Sequence, residues 1–109
     1  MSLRVEYHEL VDLDLLNAWH WYEDQEERLG DRFLGAVHAT VDRAARWPNA
    51  GKPVLRDDND EIIERKVPAN DFPYAVRYRI LGNRLLVMAV LHPRCGRRAV
   101  PRASDHQSP

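Results

Sequence analysis

The chain has 109 residues, of which 44% are hydrophobic, so it can form one domain with a substantial core but not two domains. No apolar run approaches the ~18 residues of a membrane helix, and the first residues lack a secretory pattern, so we expect a cytoplasmic protein. The single cysteine, Cys95, excludes an internal disulfide and a thiolate metal cluster, and we expect no metal or cofactor.

The charges divide the chain into two parts. Residues 1–60 carry 7 Lys or Arg against 13 Asp or Glu, whereas residues 61–109 carry 9 against 4, giving net charges of −6 and +5. A basic part next to an acidic one predicts an anionic partner on one face, either nucleic acid or an acidic protein segment. The alternative is an ordinary solvated surface.

The first half predicts one strand and two helices. Leu3, Val5 and Tyr7 alternate with polar residues, as in a half-buried strand. We expect Asp12 to cap a first helix that ends at Gly30, and Asp31 to cap a second helix that ends before Pro48. The stripes that define these helices are Val11, Leu15, Ala18, Trp19, Tyr22 and Leu29, and then Phe33, Leu34, Val37, Val41 and Ala44. Because the connection is short, the helices should form an antiparallel hairpin.

The second half predicts three strands. Residues 49–60 are expected to form a loop with a short extended piece at 53–55, and strands follow at residues 61–67, 74–81 and 84–92. The order βααβββ predicts an α+β fold, in which the helical hairpin packs on a mostly antiparallel four-stranded sheet. We expect a single domain over residues 1–102 and a disordered tail over residues 103–109.

The last two strands are joined at Gly82-Asn83, a dipeptide typical of a tight hairpin turn. The register that follows pairs Leu81 with Arg84, Arg79 with Leu86, Arg77 with Met88 and Ala75 with Val90. The core face would then hold Tyr74, Val76, Tyr78, Ile80, Leu85, Val87, Ala89 and Leu91, and the other face Arg77, Arg79, Leu86, Met88, Val90 and His92. A face that mixes cations with apolar groups is expected to bind a partner, unless the arginine stems simply shield the sheet.

Motifs along the chain resemble the RelE/ParE family of toxins from bacterial type II toxin–antitoxin modules, also called plasmid stabilisation proteins. They are AWHWYEDQ at residues 18–25 with Leu29-Gly30 and Phe33, then Pro48, then FPYAVRY at 72–78, and VLH at 90–92 followed by arginines. The resemblance extends over about residues 5–102 and implies the RelE/ParE-like fold.

The resemblance also implies a function and partners. It implies a growth-inhibiting protein that a cognate antitoxin neutralises, in which an acidic antitoxin segment that folds on binding would suit the cationic face. RelE-like members cut messenger RNA at the ribosome, whereas ParE-like members poison DNA gyrase. The implied assembly is either a homodimer or a toxin–antitoxin hetero-oligomer, with no membrane partner.

The candidate site residues follow from the chemistry of RNA cleavage, which needs a base, an acid and cations that stabilise the phosphate. Glu64 and His92 are the candidate catalytic base and acid. The residues expected to contact the target or the antitoxin are Arg65, Arg77, Arg79, Met88, Arg94, Arg97 and Arg98. Structural alternatives are cross-strand ion pairs for Glu64 and Arg65, and a strand-end cap for His92.

Departures from the RelE-like pattern favour the gyrase-directed branch. Ala75 stands where RelE-like nucleases usually have an arginine, and residues 94–102 contain no aromatic side chain. The ParE-like pattern is partly kept by His92, Arg94, Pro101 and Arg102, although its tryptophan is absent. We therefore favour a gyrase-binding toxin, with a ribosome-dependent endoribonuclease or a non-toxic interaction module as alternatives. Changing Arg77 and Arg79 to Glu is expected to weaken binding and to leave the fold intact.

Overall fold

The computed structural model describes residues 2–91 in full, together with the backbone of His92 and of residues 97–98. Its elements are β1 (Arg4–Tyr7), α1 (Glu9–Gln25), α2 (Leu29–Arg46), β2 (Lys52–Arg56), β3 (Ile62–Pro68), β4 (Ala75–Leu81), β5 (Arg84–His92) and β6 (Arg97–Arg98). The helices pack on a mixed sheet, which confirms the predicted α+β fold. The tail predicted at residues 103–109 lies outside the described residues.

The sheet has more strands than the four predicted. Its order is β1-β5-β4-β3-β2, and β6 also pairs with β5. The short extended piece predicted at residues 53–55 is present as part of a longer strand, β2, which pairs with β3 through two irregularities in register. The interior strand β5 lies parallel to β1, with Val5 opposite Leu85, and antiparallel to β4.

The helix boundaries differ from the predicted ones. The first helix begins after His8, whose Nδ1 accepts a hydrogen bond from the Leu10 amide at 3.1 Å, so Asp12 is not its cap. Gly30 lies in the first turn of α2 and does not end α1. A Cβ at Gly30 would lie 2.5 Å from the carbonyl oxygen of Trp19, so glycine permits the close approach of the two helices.

A side chain of α1 caps α2. The Glu23 carboxylate accepts hydrogen bonds from the amides of Arg28, Gly30 and Asp31 at 3.0, 3.0 and 3.3 Å. It thereby satisfies donors that the start of a helix leaves unpaired. The Trp19 indole donates to Asp31 Oδ1 at 2.7 Å, which adds a second link across the hairpin. The motif WYE followed by LG therefore encodes the junction between the two helices.

The core lies between the helical hairpin and one face of the sheet. Both predicted helical stripes are largely buried, and Tyr22, Phe33, Phe72 and Tyr74 form an aromatic cluster with ring centroids 5.0–6.3 Å apart. The Tyr78 side chain is 1% exposed, as its predicted place on the core face requires. Neither helix in the described part of the chain has the length and apolarity needed to span a bilayer.

The hairpin of β4 and β5 follows the predicted register only near its turn. Gly82 has φ +63°, and the predicted pairs of Leu81 with Arg84 and of Arg79 with Leu86 are present. A bulge then leaves Met88 as an extra residue, since Tyr78 pairs with Val87 and Arg77 with Ala89.

The bulge reverses the phase of β5 beyond Met88. Val90 is completely buried, whereas it was predicted on the outer face. The predicted core positions of Ala89 and Leu91 were wrong, because one inserted residue moves every later side chain to the other face. Ile80 was also predicted in the core, but it lies next to the turn and is 37% exposed.

Candidate binding face of the sheet

Arg77 and Arg79 lie on the sheet face that is turned away from the helices. They flank Tyr78 in β4, and Tyr78 is buried in the core. Since successive side chains of a strand point to opposite faces, both arginines are directed away from the core, as predicted. Glu64 precedes Arg65, the partner of Tyr78, and so shares the face of the two arginines. We call Glu64, Arg77 and Arg79 the arginine face.

Glu64 binds both arginines. Its Oε2 lies 2.5 Å from Arg77 Nε and its Oε1 lies 2.9 Å from Arg79 Nε. Glu64 is 5% exposed, whereas the side chains of Arg77 and Arg79 are 33% and 35% exposed. A guanidinium has five N–H donors, more than one carboxylate oxygen can take up, so both exposed arginines can still donate to an anionic partner.

The surroundings of the arginine face are partly apolar. Leu55 pairs with Glu64 across β2 and β3, and Ile62 and Leu81 lie two residues from Glu64 and Arg79 along their strands. Their exposed fractions are 41%, 36% and 42%. The sequence predicted a short extended piece at residues 53–55 within a loop, but it did not predict the pairing that places Leu55 beside Glu64. The signal that was available is the pair of apolar residues at 54 and 55.

The geometry of Glu64 bears on its predicted role as a general base. A base must reach the proton that it abstracts, and a carboxylate that is buried and bound to two cations is poorly placed to do so. The cross-strand ion pairs considered as its structural alternative are present, with Arg77 and Arg79 as the partners. The side chains of His92, Arg94, Arg97 and Arg98 lie outside the described residues, so their predicted roles stay predictions.

Arg65 lies on the other side of the sheet. It pairs with Tyr78, and its guanidinium donates to the carbonyl oxygens of Asn49 and Gly51 at 3.1 and 2.8 Å. The Tyr78 hydroxyl donates to Pro48 O at 2.8 Å and accepts from the Gly51 amide at 3.2 Å. Burial raises the pKa of Tyr78, and the Gly51 hydrogen bond and the Arg65 charge partly offset that rise. Arg65 thus holds the loop after α2, separately from the arginine face.

Met88 is the remaining residue that was predicted to contact a partner. Met88 is the extra residue of the β5 bulge and is half-buried. Its predicted contact with a target or an antitoxin stays a prediction. Within the part of the chain that the structure describes, no group of three or more His, Cys, Asp or Glu side chains is arranged to hold a metal ion.

The fold is the one expected of the RelE/ParE class of small toxins. The sequence matches the family described as ParE toxin of type II toxin-antitoxin system, parDE, over residues 5–94. Because this match covers most of the 109 residues, the chain belongs to the ParE toxin family.

A solved structure has a similar fold. It is described as the chromosomal ParDE TA system from P. aeruginosa, and it superposes with a TM-score of 0.67 at 11% sequence identity. The similarity covers 84% of this chain and 96% of that chain. At this identity the likeness concerns the fold alone. No curated protein matches the sequence.

Proposed function

We propose that this protein is the toxin of a two-component module in the cytoplasm, that a cognate antitoxin neutralises it, and that its target is DNA gyrase. The observation that carries the proposal is the match to the ParE toxin family over residues 5–94. The structure adds a cationic, partly apolar surface on which a partner could bind.

The arginine face supports an acidic antitoxin segment as its ligand. Arg77 and Arg79 are each about one-third exposed, and Leu55, Ile62 and Leu81 beside them are exposed apolar side chains. A segment that alternates Asp or Glu with apolar residues would satisfy both features when it folds against the sheet. The similar solved structure is a toxin–antitoxin system, which supports a protein antitoxin for this chain.

The state of Glu64 supports gyrase binding over RNA cleavage. Cleavage through the 2′-hydroxyl requires a group that accepts its proton, and Glu64 is the candidate carboxylate. That carboxylate is 5% exposed and is held by Arg77 and Arg79. A toxin that acts by binding a macromolecule needs no free base, and the buried carboxylate is compatible with that mode of action.

Induced expression in a bacterium tests the target. We expect filamentation and DNA-damage signalling, and restored growth when the adjacent reading frame is co-expressed. The purified protein should inhibit supercoiling by gyrase. A halt of translation within minutes would indicate mRNA cleavage, and the absence of any growth defect would indicate an interaction module. Either of these results would overturn the gyrase proposal.

A test of the arginine face requires a variant that does not leave Glu64 without a cationic partner. Changing Arg77 and Arg79 to Glu, the variant expected from the sequence to fold, would place two carboxylates beside a third that is already buried. The triple variant Glu64→Gln/Arg77→Gln/Arg79→Gln avoids this repulsion. Because each charged hydrogen bond contributes about 1.5–3 kcal/mol, antitoxin binding should weaken by about tenfold or more.

A matched control distinguishes the effect of the arginine face on antitoxin binding from the effect of a change in net charge. The variant Arg32→Gln/Arg46→Gln/Glu27→Gln makes the same change in net charge at exposed positions of the helical layer. Isothermal titration should show near-native antitoxin binding for this control. Equal losses in the two triple variants would mean that charge alone, and not the arginine face, determines the affinity.

A further inference from the structure

Helix α1 has apolar side chains on its solvent-facing side as well as on the side that packs in the core. Leu10, Leu13 and Leu16 are 52%, 55% and 53% exposed, while Val11 and Leu15 of the same helix are buried in the core. Residues three apart are neighbours on a helix surface, so the three leucines form one ridge. A surface helix normally turns polar residues to water, and this ridge therefore needs a separate explanation. We call these three residues the leucine ridge.

A groove adjoins the leucine ridge. Leu16 lines it together with Trp19 of α1 and with Leu34 and His38 of α2, and it measures about 420 Å³. The side chains of a second helix can interdigitate with the ridge and fill the groove. The surface is therefore suited to a helix more than to an extended segment.

The charges around the leucine ridge select its partner. All the charged residues of α1 are acidic, namely Glu9, Asp12, Asp14, Glu23 and Asp24, and the helix contains no Lys or Arg. Glu9 and Asp12 are exposed, and they lie four residues before Leu13 and Leu16, so both border the ridge. A second copy of the chain packed through α1 would bring acidic residues against acidic residues, which is unfavourable.

From the apolar ridge and its acidic border we infer that α1 docks an amphipathic helix whose apolar face is flanked by Lys or Arg. The inference does not rest on the proposed function. The arginine face carries the opposite charge and lies on the opposite side of the sheet, so one segment cannot satisfy both surfaces. The protein thus has two docking surfaces of opposite charge preference.

Synthetic peptides test the inference on the full chain. Three helical peptides derived from one parent sequence serve as probes. The first has leucines flanked by Lys and Arg. The second has Glu in place of the Lys and Arg residues, and the third keeps the cations but has Gln in place of the leucines. Fluorescence anisotropy should show binding of the first peptide alone. Its affinity should fall as salt is added, because the flanking charges are at the surface.

Variants of the chain locate the binding surface. Leu13→Gln should weaken binding of the first peptide by about tenfold, as expected for a central anchor residue. Glu9→Gln/Asp12→Asn should abolish the preference for the basic peptide over the acidic one. Ile80→Gln is the matched control, since Ile80 is 37% exposed and lies on the sheet next to the turn between β4 and β5, outside both surfaces. Its far-UV circular dichroism and peptide affinity should equal those of the unmodified chain.

Several outcomes would overturn the inference. These are no binding of the first peptide, equal binding of the leucine-free basic peptide, or binding that Leu13→Gln leaves unchanged. Sedimentation equilibrium provides an independent check. A dimer that Leu13→Gln dissociates would show that the ridge is covered by a second copy of the chain. If Leu13→Gln lowers the free energy of unfolding, Leu10→Gln should give the same loss of peptide binding in a folded protein.

Discussion

The clearest quantitative prediction concerns the removal of both arginines from Glu64. In the variant Arg77→Gln/Arg79→Gln, a carboxylate that is only 5% exposed loses both cations that neutralise it. Removing the partner of a buried charge costs about 3–5 kcal/mol, because the remaining charge is neither solvated nor paired. Since whole domains are stable by about 5–15 kcal/mol, the double variant should lose a large part of its stability.

The reverse change should cost much less. In Glu64→Gln the two groups left without a partner are guanidiniums whose side chains are 33% and 35% exposed, so water can solvate them. We expect a loss of about 1 kcal/mol, the scale of partly exposed ion pairs. The triple variant Glu64→Gln/Arg77→Gln/Arg79→Gln has no buried charge at this position and should recover to within about 1 kcal/mol of the unmodified chain.

Urea unfolding at neutral pH measures these differences as a thermodynamic cycle. The control Arg32→Gln/Arg46→Gln removes two exposed cations and should change the free energy of unfolding by no more than about 0.5 kcal/mol. The reasoning is refuted if the triple variant is no more stable than the double variant. It is also refuted if Glu64→Gln costs as much as the loss of both arginines.

Three further changes test the packing of the fold. In urea unfolding, Gly30→Ala should lower the free energy of unfolding by about 1–3 kcal/mol, because its Cβ would lie 2.5 Å from a backbone oxygen of α1. Gly35→Ala, whose Cβ would meet nothing within 4 Å, should instead raise it by about 0.5–1 kcal/mol, because alanine favours a helix interior. Tyr78→Phe should cost about 1–3 kcal/mol in urea, since the carbonyl of Pro48 loses its donor, and a native midpoint would contradict this. Burial, aided by nearby aspartates, raises the pKa of Tyr7 from 10.0 to about 12. The stability that neutral Tyr7 contributes should be complete below pH 10 and lost between pH 10 and 12, and Tyr7→Phe should reduce that loss.

The turn of the β4–β5 hairpin could be predicted from the sequence, but the register of the whole hairpin could not. Gly82-Asn83 marks the turn, and the alternation of Arg77, Tyr78 and Arg79 correctly separates the two faces of β4. Residues 85–91 are apolar at every position, so a change of phase within them leaves no trace in the pattern. The bulge at Met88 could not be predicted for that reason.

The helical hairpin shows a similar limit. Gly30 is where a helix-ending glycine would be expected, and the sequence does not distinguish that role from a close contact between helices. Only the structure shows that Glu23 supplies the cap of α2. In the same way, alternation predicts that Arg77 and Arg79 share a face, but pairing of β3 with β4 is needed to place Glu64 between them.

The interior position of β5, between β1 and β4, has a consequence for the order in which the sheet can form during synthesis. Its partner β1 comes near the start of the chain, with Val5 opposite Leu85, so their pairing spans about eighty residues. Such distant contacts make folding slow. Until residues 84–92 have left the ribosome, the sheet is incomplete. The apolar faces of α1 and α2 that pack on it therefore remain exposed to solvent. We therefore expect the nascent chain to bind chaperones before the sheet is complete.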